Sequence, residues 1–133
     1  MAAKVFDSYA LLALLRGEPG SEDARQVLEK AADRDVPVHM TEVNYAEVQY
    51  IIRRKDGDAA WKSIAAELIA APIEFHPADR HLADLAADFK TRFKISLADA
   101  FAAALTKERK AELVTGDPEF GALEKEIKIA WLK

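Results

Sequence analysis

Residues 95–120 read ISLADAFAAALTKERKAELVTGDPEF, and the order of patterns within them decides the fold. Ile95 to Leu105 is apolar nearly all the way round, the mark of a helix buried on most sides. The helix pattern runs from about Ser96 to Arg109. ELVT, Glu112 to Thr115, then reads as a short buried strand, and a further short helix opens after Pro118. One residue does not fit a buried helix: Asp99 stands among Leu97, Ala98, Ala100 and Phe101, where an unpaired carboxylate is costly.

The same alternation extends outward in both directions. KVF, Lys4 to Phe6, reads as a first strand and Ser8 to Arg16 as a helix stopped by Gly17 and Pro19. Ser21 opens a helix through about Arg34, and Pro37 to Met40 is a second strand. Thr41 caps a long helix to about Lys55, and another follows from Asp58 to about Ala71. Ile73 to Phe75 is a third strand, Pro77 opens a helix bearing Leu82, Leu85, Ala86 and Phe89, and Ile127 to Leu132 is a fifth strand. Strands separated by helices need crossover connections. The expectation is a single domain over residues 1–133: a three-layer α/β/α unit with a central, mainly parallel sheet of about five strands. Ligands of such sheets bind outside the carboxyl ends of the strands.

Composition narrows the chemistry. The chain has 133 residues, half of them hydrophobic, and no cysteine. Disulfide scaffolds, thiolate metal sites and cysteine nucleophiles are excluded, which fits a cytoplasmic location. No apolar run approaches the roughly 20 residues that span a bilayer, and the apolar N-terminal stretch, interrupted by Asp7, is read as part of the fold. The net charge is −4, so action on a polyanion would need a local basic patch or metal cations.

Four carboxylates invite attention, and each has an ordinary explanation. Asp7 follows the first strand and precedes a helix, as an N-cap does. Glu47 falls in line with Val43, Tyr50, Ile51 and Arg54 on the presumed apolar stripe of its helix, where it could pair with Arg54. Ser96-Leu-Ala-Asp99 matches a capping box, in which Asp99 folds back on the Ser96 amide. Asp117-Pro118 matches an N-cap followed by proline at the first helical position. Together they say more. Asp7 and Asp117 each close a strand, Glu47 and Asp99 lie near helix starts, and all four belong at the carboxyl end of the sheet. Four acids there repel unless cations are present. With no histidine or cysteine among them, an all-oxygen set favours Mg²⁺ or Mn²⁺ and suits phosphoryl chemistry.

On VFDSYALLALL, TEVNYAEVQY, SLADAFAAAL and LVTGDPEF, almost the whole chain resembles the PIN-domain ribonucleases, and within them the VapC-like toxins of toxin–antitoxin pairs. The resemblance makes Asp7, Glu47, Asp99 and Asp117 the catalytic and metal-binding acids. It implies Mg²⁺- or Mn²⁺-dependent endoribonuclease activity, an RNA substrate, a homodimer and a cognate antitoxin. Ser8, Asn44, Ser96 and Thr115 are polar neighbours that could hold water, metal or substrate, with capping as the alternative. Tyr9 departs from the family, in which a second small hydroxyl residue often follows Asp-Ser.

Arg53-Arg54-Lys55 closes the helix carrying Glu47 and is either a helix-end complement or a phosphate track. His39, His76 and His81 are scattered, without metal-ligand spacing, and are read as structural or exposed. Tyr50, Trp61 and Trp131 are read as core or interface. Two rivals stand beside the nuclease reading. One is a non-catalytic RNA- or protein-binding module of the same fold. The other is an acid-site phosphatase, weakened because Tyr9 occupies the position of its second aspartate.

Overall fold

A computed structural model describes residues 2–133. The elements run β1 (Lys4–Phe6), α1 (Ser8–Arg16), α2 (Ser21–Arg34), β2 (Val38–Thr41), α3 (Glu42–Asp56), α4 (Asp58–Ala70) and β3 (Ile73–His76). They continue with α5 (Arg80–Arg92), α6 (Leu97–Glu108), β4 (Glu112–Thr115), a 3-10 helix (Pro118–Leu123) and β5 (Lys128–Trp131). The sheet order is β3-β2-β1-β4-β5, and every neighbouring pair is parallel. This is a three-layer α/β/α architecture around a five-stranded parallel sheet. No helix among the described residues is long and apolar enough to cross a membrane.

Alternation along the strands divides the core in two. Val5 and Leu113 face α5 and α6, joining Leu82, Phe89, Phe101 and Leu105. Phe6, Val114, Val38 and Met40 face the other way, joining Leu11, Val48, Ile52 and Trp61 from α1, α3 and α4. The helix α6 lies against the sheet with Ala100, Ala102, Ala103, Ala104 and Leu105 wholly excluded from solvent. Its run of alanines keeps α6 slim, so sheet and α5 close on it directly.

Two local readings are corrected. Pro77 does not open α5. The chain stays extended until Asp79, whose carboxylate accepts the Leu82 amide at 2.8 Å and makes the cap that proline cannot supply. The buried face of α3 is Asn44, Val48 and Ile52, one position round from the Val43–Glu47 stripe. A buried asparagine is tolerated because its polar atoms are all partnered, as described below. Trp61 is buried, whereas Tyr50 and Trp131 lie on the surface of the chain, Tyr50 beneath the Arg54 guanidinium.

The packing around α6 yields a direct test. Ala103→Leu forces a larger side chain into a space with no exposure and should cost on the order of 1–3 kcal/mol. Urea unfolding measures this; an unchanged midpoint would contradict the tight packing assigned to α6.

Candidate active site

The carboxyl ends of β1 and β4 are adjacent because Phe6 pairs with Val114. The next residue on each strand is therefore Asp7 and Thr115. Asp7 caps α1 as the sequence suggests: its Oδ1 accepts the Ala10 amide at 2.8 Å. Its Oδ2 accepts the Thr115 hydroxyl. The same Thr115 oxygen accepts the Asp117 amide at 3.0 Å, and Asp117 in turn caps the 3-10 helix by accepting the Glu119 amide at 3.0 Å. Capping and hydrogen bonding thus fix Asp7 and Asp117 relative to each other across two strands.

Asp99 enters from above on the first turn of α6. Half of the anticipated capping box is formed, since Ser96 Oγ accepts the Asp99 amide at 3.1 Å. The reciprocal half is absent: no hydrogen bond joins the Asp99 carboxylate to the Ser96 amide, and the carboxylate turns toward Asp117 instead. One carboxylate oxygen each of Asp99, Asp117 and Glu119 lie within 4.8 Å of one another. Glu119 was not among the sequence candidates. In Asp-Pro-Glu at a helix start, a second acid is equally well explained by the helix dipole, so only the 3-10 turn reveals that it shares the pocket. Glu47, half-buried on the flank of α3, is close enough to Asp99 for its charge to raise the Asp99 pKa.

The surrounding polar residues form a frame. Asn44 donates to Ser8 Oγ at 3.1 Å and to the Ala98 carbonyl at 3.2 Å, while Thr41 donates to its Oδ1. Asn44 therefore clamps α1, α3 and α6 around the acids, and Ser8 and Asn44 are committed to this network. Tyr9 lays its ring over Gly116, where any Cβ would collide with it. A side chain between Thr115 and Asp117 would push the Tyr9 ring aside. Arg53 is ion-paired with Asp58 at 2.8 Å, and Arg54 sits over the Tyr50 ring, both on the α3 turns that lead away from the acids.

Burial dominates the electrostatics. It raises the Asp7 carboxyl to about 7, helped by the charges of Asp99 and Asp117 and opposed by the bonds from Thr115 and Ala10. It raises Asp99 to about 6, helped by Asp117, Glu47 and Glu119 and opposed by Ser96. Near neutral pH these acids share the site either by retaining protons or by binding a cation. An octahedral Mg²⁺ or Mn²⁺ places opposite ligand oxygens about 4.2 Å apart. Neighbouring ligand oxygens of the same octahedron are about 3.0 Å apart; the Asp99, Asp117 and Glu119 oxygens, within 4.8 Å of one another, stand near enough to share such a cation, and the donors are all oxygen. The residues present fit a hard divalent cation.

A PIN-domain family model matches residues 4–126. The chain belongs to the PIN-domain family. Its fold is similar to that of DNA-bound VapBC from Salmonella typhimurium, at 15% identity and TM-score 0.78, covering 98% of each chain. It is similar also to VapC20 of Mycobacterium tuberculosis, a sarcin–ricin loop cleaving toxin, at 18% identity and TM-score 0.74, covering 91% of this chain and 95% of that one. A toxin–antitoxin complex from Klebsiella pneumoniae shares the fold at 17% identity and TM-score 0.68, with 96% of each chain covered. No protein of curated function matches this PIN domain in sequence.

The raised carboxyls make stability depend on pH. Folded Asp7 and Asp99 keep protons that the unfolded chain releases near 3.8, so stability falls as pH climbs from there through about 6 and 7. The combined loss is on the order of a few kcal/mol. In chelator, the melting temperature should drop between about pH 5 and pH 8, and Mg²⁺ or Mn²⁺ should restore it at the higher pH only. A flat profile, or equal rescue at both values, would contradict the buried-acid account.

Proposed function

We propose that this PIN domain, read as one unit over residues 1–133, is a metal-dependent endoribonuclease and the toxin of a VapC-like toxin–antitoxin pair. The observation that carries the reading is the convergence of Asp7, Asp99 and Asp117 at the carboxyl ends of β1 and β4, with Glu47 and Glu119 at the margin. Family membership supports nuclease chemistry, and the VapBC-like fold supports the toxin assignment. With these go an RNA substrate, a cognate antitoxin covering the acidic pocket, a homodimer and a cytoplasmic location.

Asp99, Asp117 and Glu119, whose oxygens lie together, would hold Mg²⁺ or Mn²⁺, with Asp7 and Glu47 contributing directly or through water. The bound cation supplies charge to offset the phosphodiester and to acidify a water molecule. Asp7 is the rigid member, since both its oxygens are already fixed by Ala10 and Thr115. Thr115 positions Asp7 and Asp117 together. Asp99 is assigned as the proton acceptor because its carboxylate, unlike that of Asp7, has no main-chain donor and stays available to a water molecule. It would take a proton from the attacking water as the new oxygen–phosphorus bond forms, while the ribose oxygen departs from phosphorus and takes a proton from solvent. Ser8 and Asn44 hold the frame. Arg54 extends the site along α3 as a phosphate contact, and Arg53 serves there to the extent that Asp58 releases it.

Asp99→Asn and Asp7→Asn should each lower RNA cleavage by at least about a hundredfold while leaving the fold intact, judged by circular dichroism. Arg54→Glu should weaken RNA binding and reduce its salt dependence without abolishing cleavage. Full activity in folded Asp99→Asn would refute the proposal, and RNA binding without any cation-dependent cleavage in the parent protein would favour a non-catalytic module.

A further inference from the structure

The histidines read as scattered are not all scattered. The parallel pairing of β2 with β3 sets His39 beside Glu74 and Thr41 beside His76. Val38, Met40, Ile73 and Phe75 face α1–α4, so alternation turns His39, Glu74 and His76 together onto the opposite face. Three atoms meet there. His39 Nδ1 is 2.8 Å from His76 Nε2 and 3.1 Å from Glu74 Oε2, and His76 Nε2 is 3.4 Å from the same Glu74 oxygen.

Hydrogen bonding accounts for this triangle poorly. With both rings neutral, N–H donation serves at most two of the three edges, and the third sets like groups against each other. A tetrahedral cation with bonds of about 2.0–2.1 Å separates its ligand atoms by about 3.3 Å. The two edges to Glu74, 3.1 and 3.4 Å, bracket the separation of tetrahedral ligands, and the 2.8 Å edge between the imidazoles needs to open by about 0.5 Å. A cation at the centre of the triangle would touch all three atoms, and the exposed Glu74 side leaves a fourth position open to water. Burial holds His39 below its ordinary pKa, assisted by Arg109 and His76 and opposed by Glu74, which keeps the imidazole in its ligating form. The Arg109 charge opposes a cation, and the Glu74 carboxylate offsets it.

We propose that His39, Glu74 and His76 form a second metal site, for a divalent transition cation of the Zn²⁺ class, that fastens the edge strand β3 to β2. Two imidazoles and a carboxylate select such a cation over Mg²⁺, the reverse of the all-oxygen pocket. The two sites are separate. The acids stand at the ends of β1 and β4 and on the first turns of their helices, whereas the triangle lies on β2 and β3. Arg109, whose charge reaches His39, ends α6 about 15 Å along the axis from Asp99.

The test uses the full-length protein stripped with chelator and titrated with Co²⁺, then Zn²⁺, in excess Mg²⁺. One Co²⁺ should bind with the intense visible absorption of four-coordinate geometry and be displaced by Zn²⁺. Asp99→Asn should leave this signal unchanged, while Glu74→Gln and His76→Gln weaken Zn²⁺ binding at least about tenfold. These two side chains reach the surface, and retained melting of each variant shows that lost binding is not lost folding. A weak six-coordinate spectrum, unaltered affinity in both variants, or loss of the signal in Asp99→Asn would overturn the assignment.

Discussion

Carboxylates confined at the mouth of the sheet are the constraint on which the site depends. Asp7 is wholly buried, Asp99 nearly so, and Asp117 is bound to the same threonine that holds Asp7. Burial of like charge is unfavourable, and the protein meets it with specific donors rather than with basic side chains. Ala10, Thr115 and Ser96 each offset part of the cost. What they leave over is the tendency of Asp7 and Asp99 to retain protons, which a divalent cation can replace with its own charge.

The ordinary explanations for Asp7 and Asp117 are correct and insufficient. Asp7 and Asp117 do cap helices, and a capping carboxylate still has lone pairs directed away from the helix. Asp99 differs: Ser96 caps α6, but the Asp99 carboxylate does not close the reciprocal half of the box and stands beside Asp117. Helix capping therefore aims the acids, and strand pairing of β1 with β4 brings them together. The slim alanine face of α6 sets how near Asp99 comes to the sheet.

The sequence was informative wherever a signal is local. β1, α1 and β4 have the expected bounds because caps, Gly17 and short buried runs mark them clearly. The convergence of Asp99 and Asp117 followed from the rule about strand ends. Three features were not legible. The inward face of α3 was misjudged by one position because the buried residue is an asparagine, whose partners lie on α1 and α6. Glu119 was hidden because an acid at a helix start has a sufficient local reason. His39 and His76 meet across 37 residues because β2 and β3 pair in a particular register, which spacing rules within one helix or loop do not detect.

Sharing of a cation by the acids at the ends of β1 and β4 is what relieves their mutual repulsion. Crystals grown with Mn²⁺ and measured for anomalous scattering test it most directly. The account predicts an anomalous peak within about 2.0–2.3 Å of oxygens from Asp99 and Asp117, adjoining Asp7, which disappears in Asp99→Asn. An ordered pocket with no peak at millimolar Mn²⁺, or a peak that persists in Asp99→Asn, would contradict it.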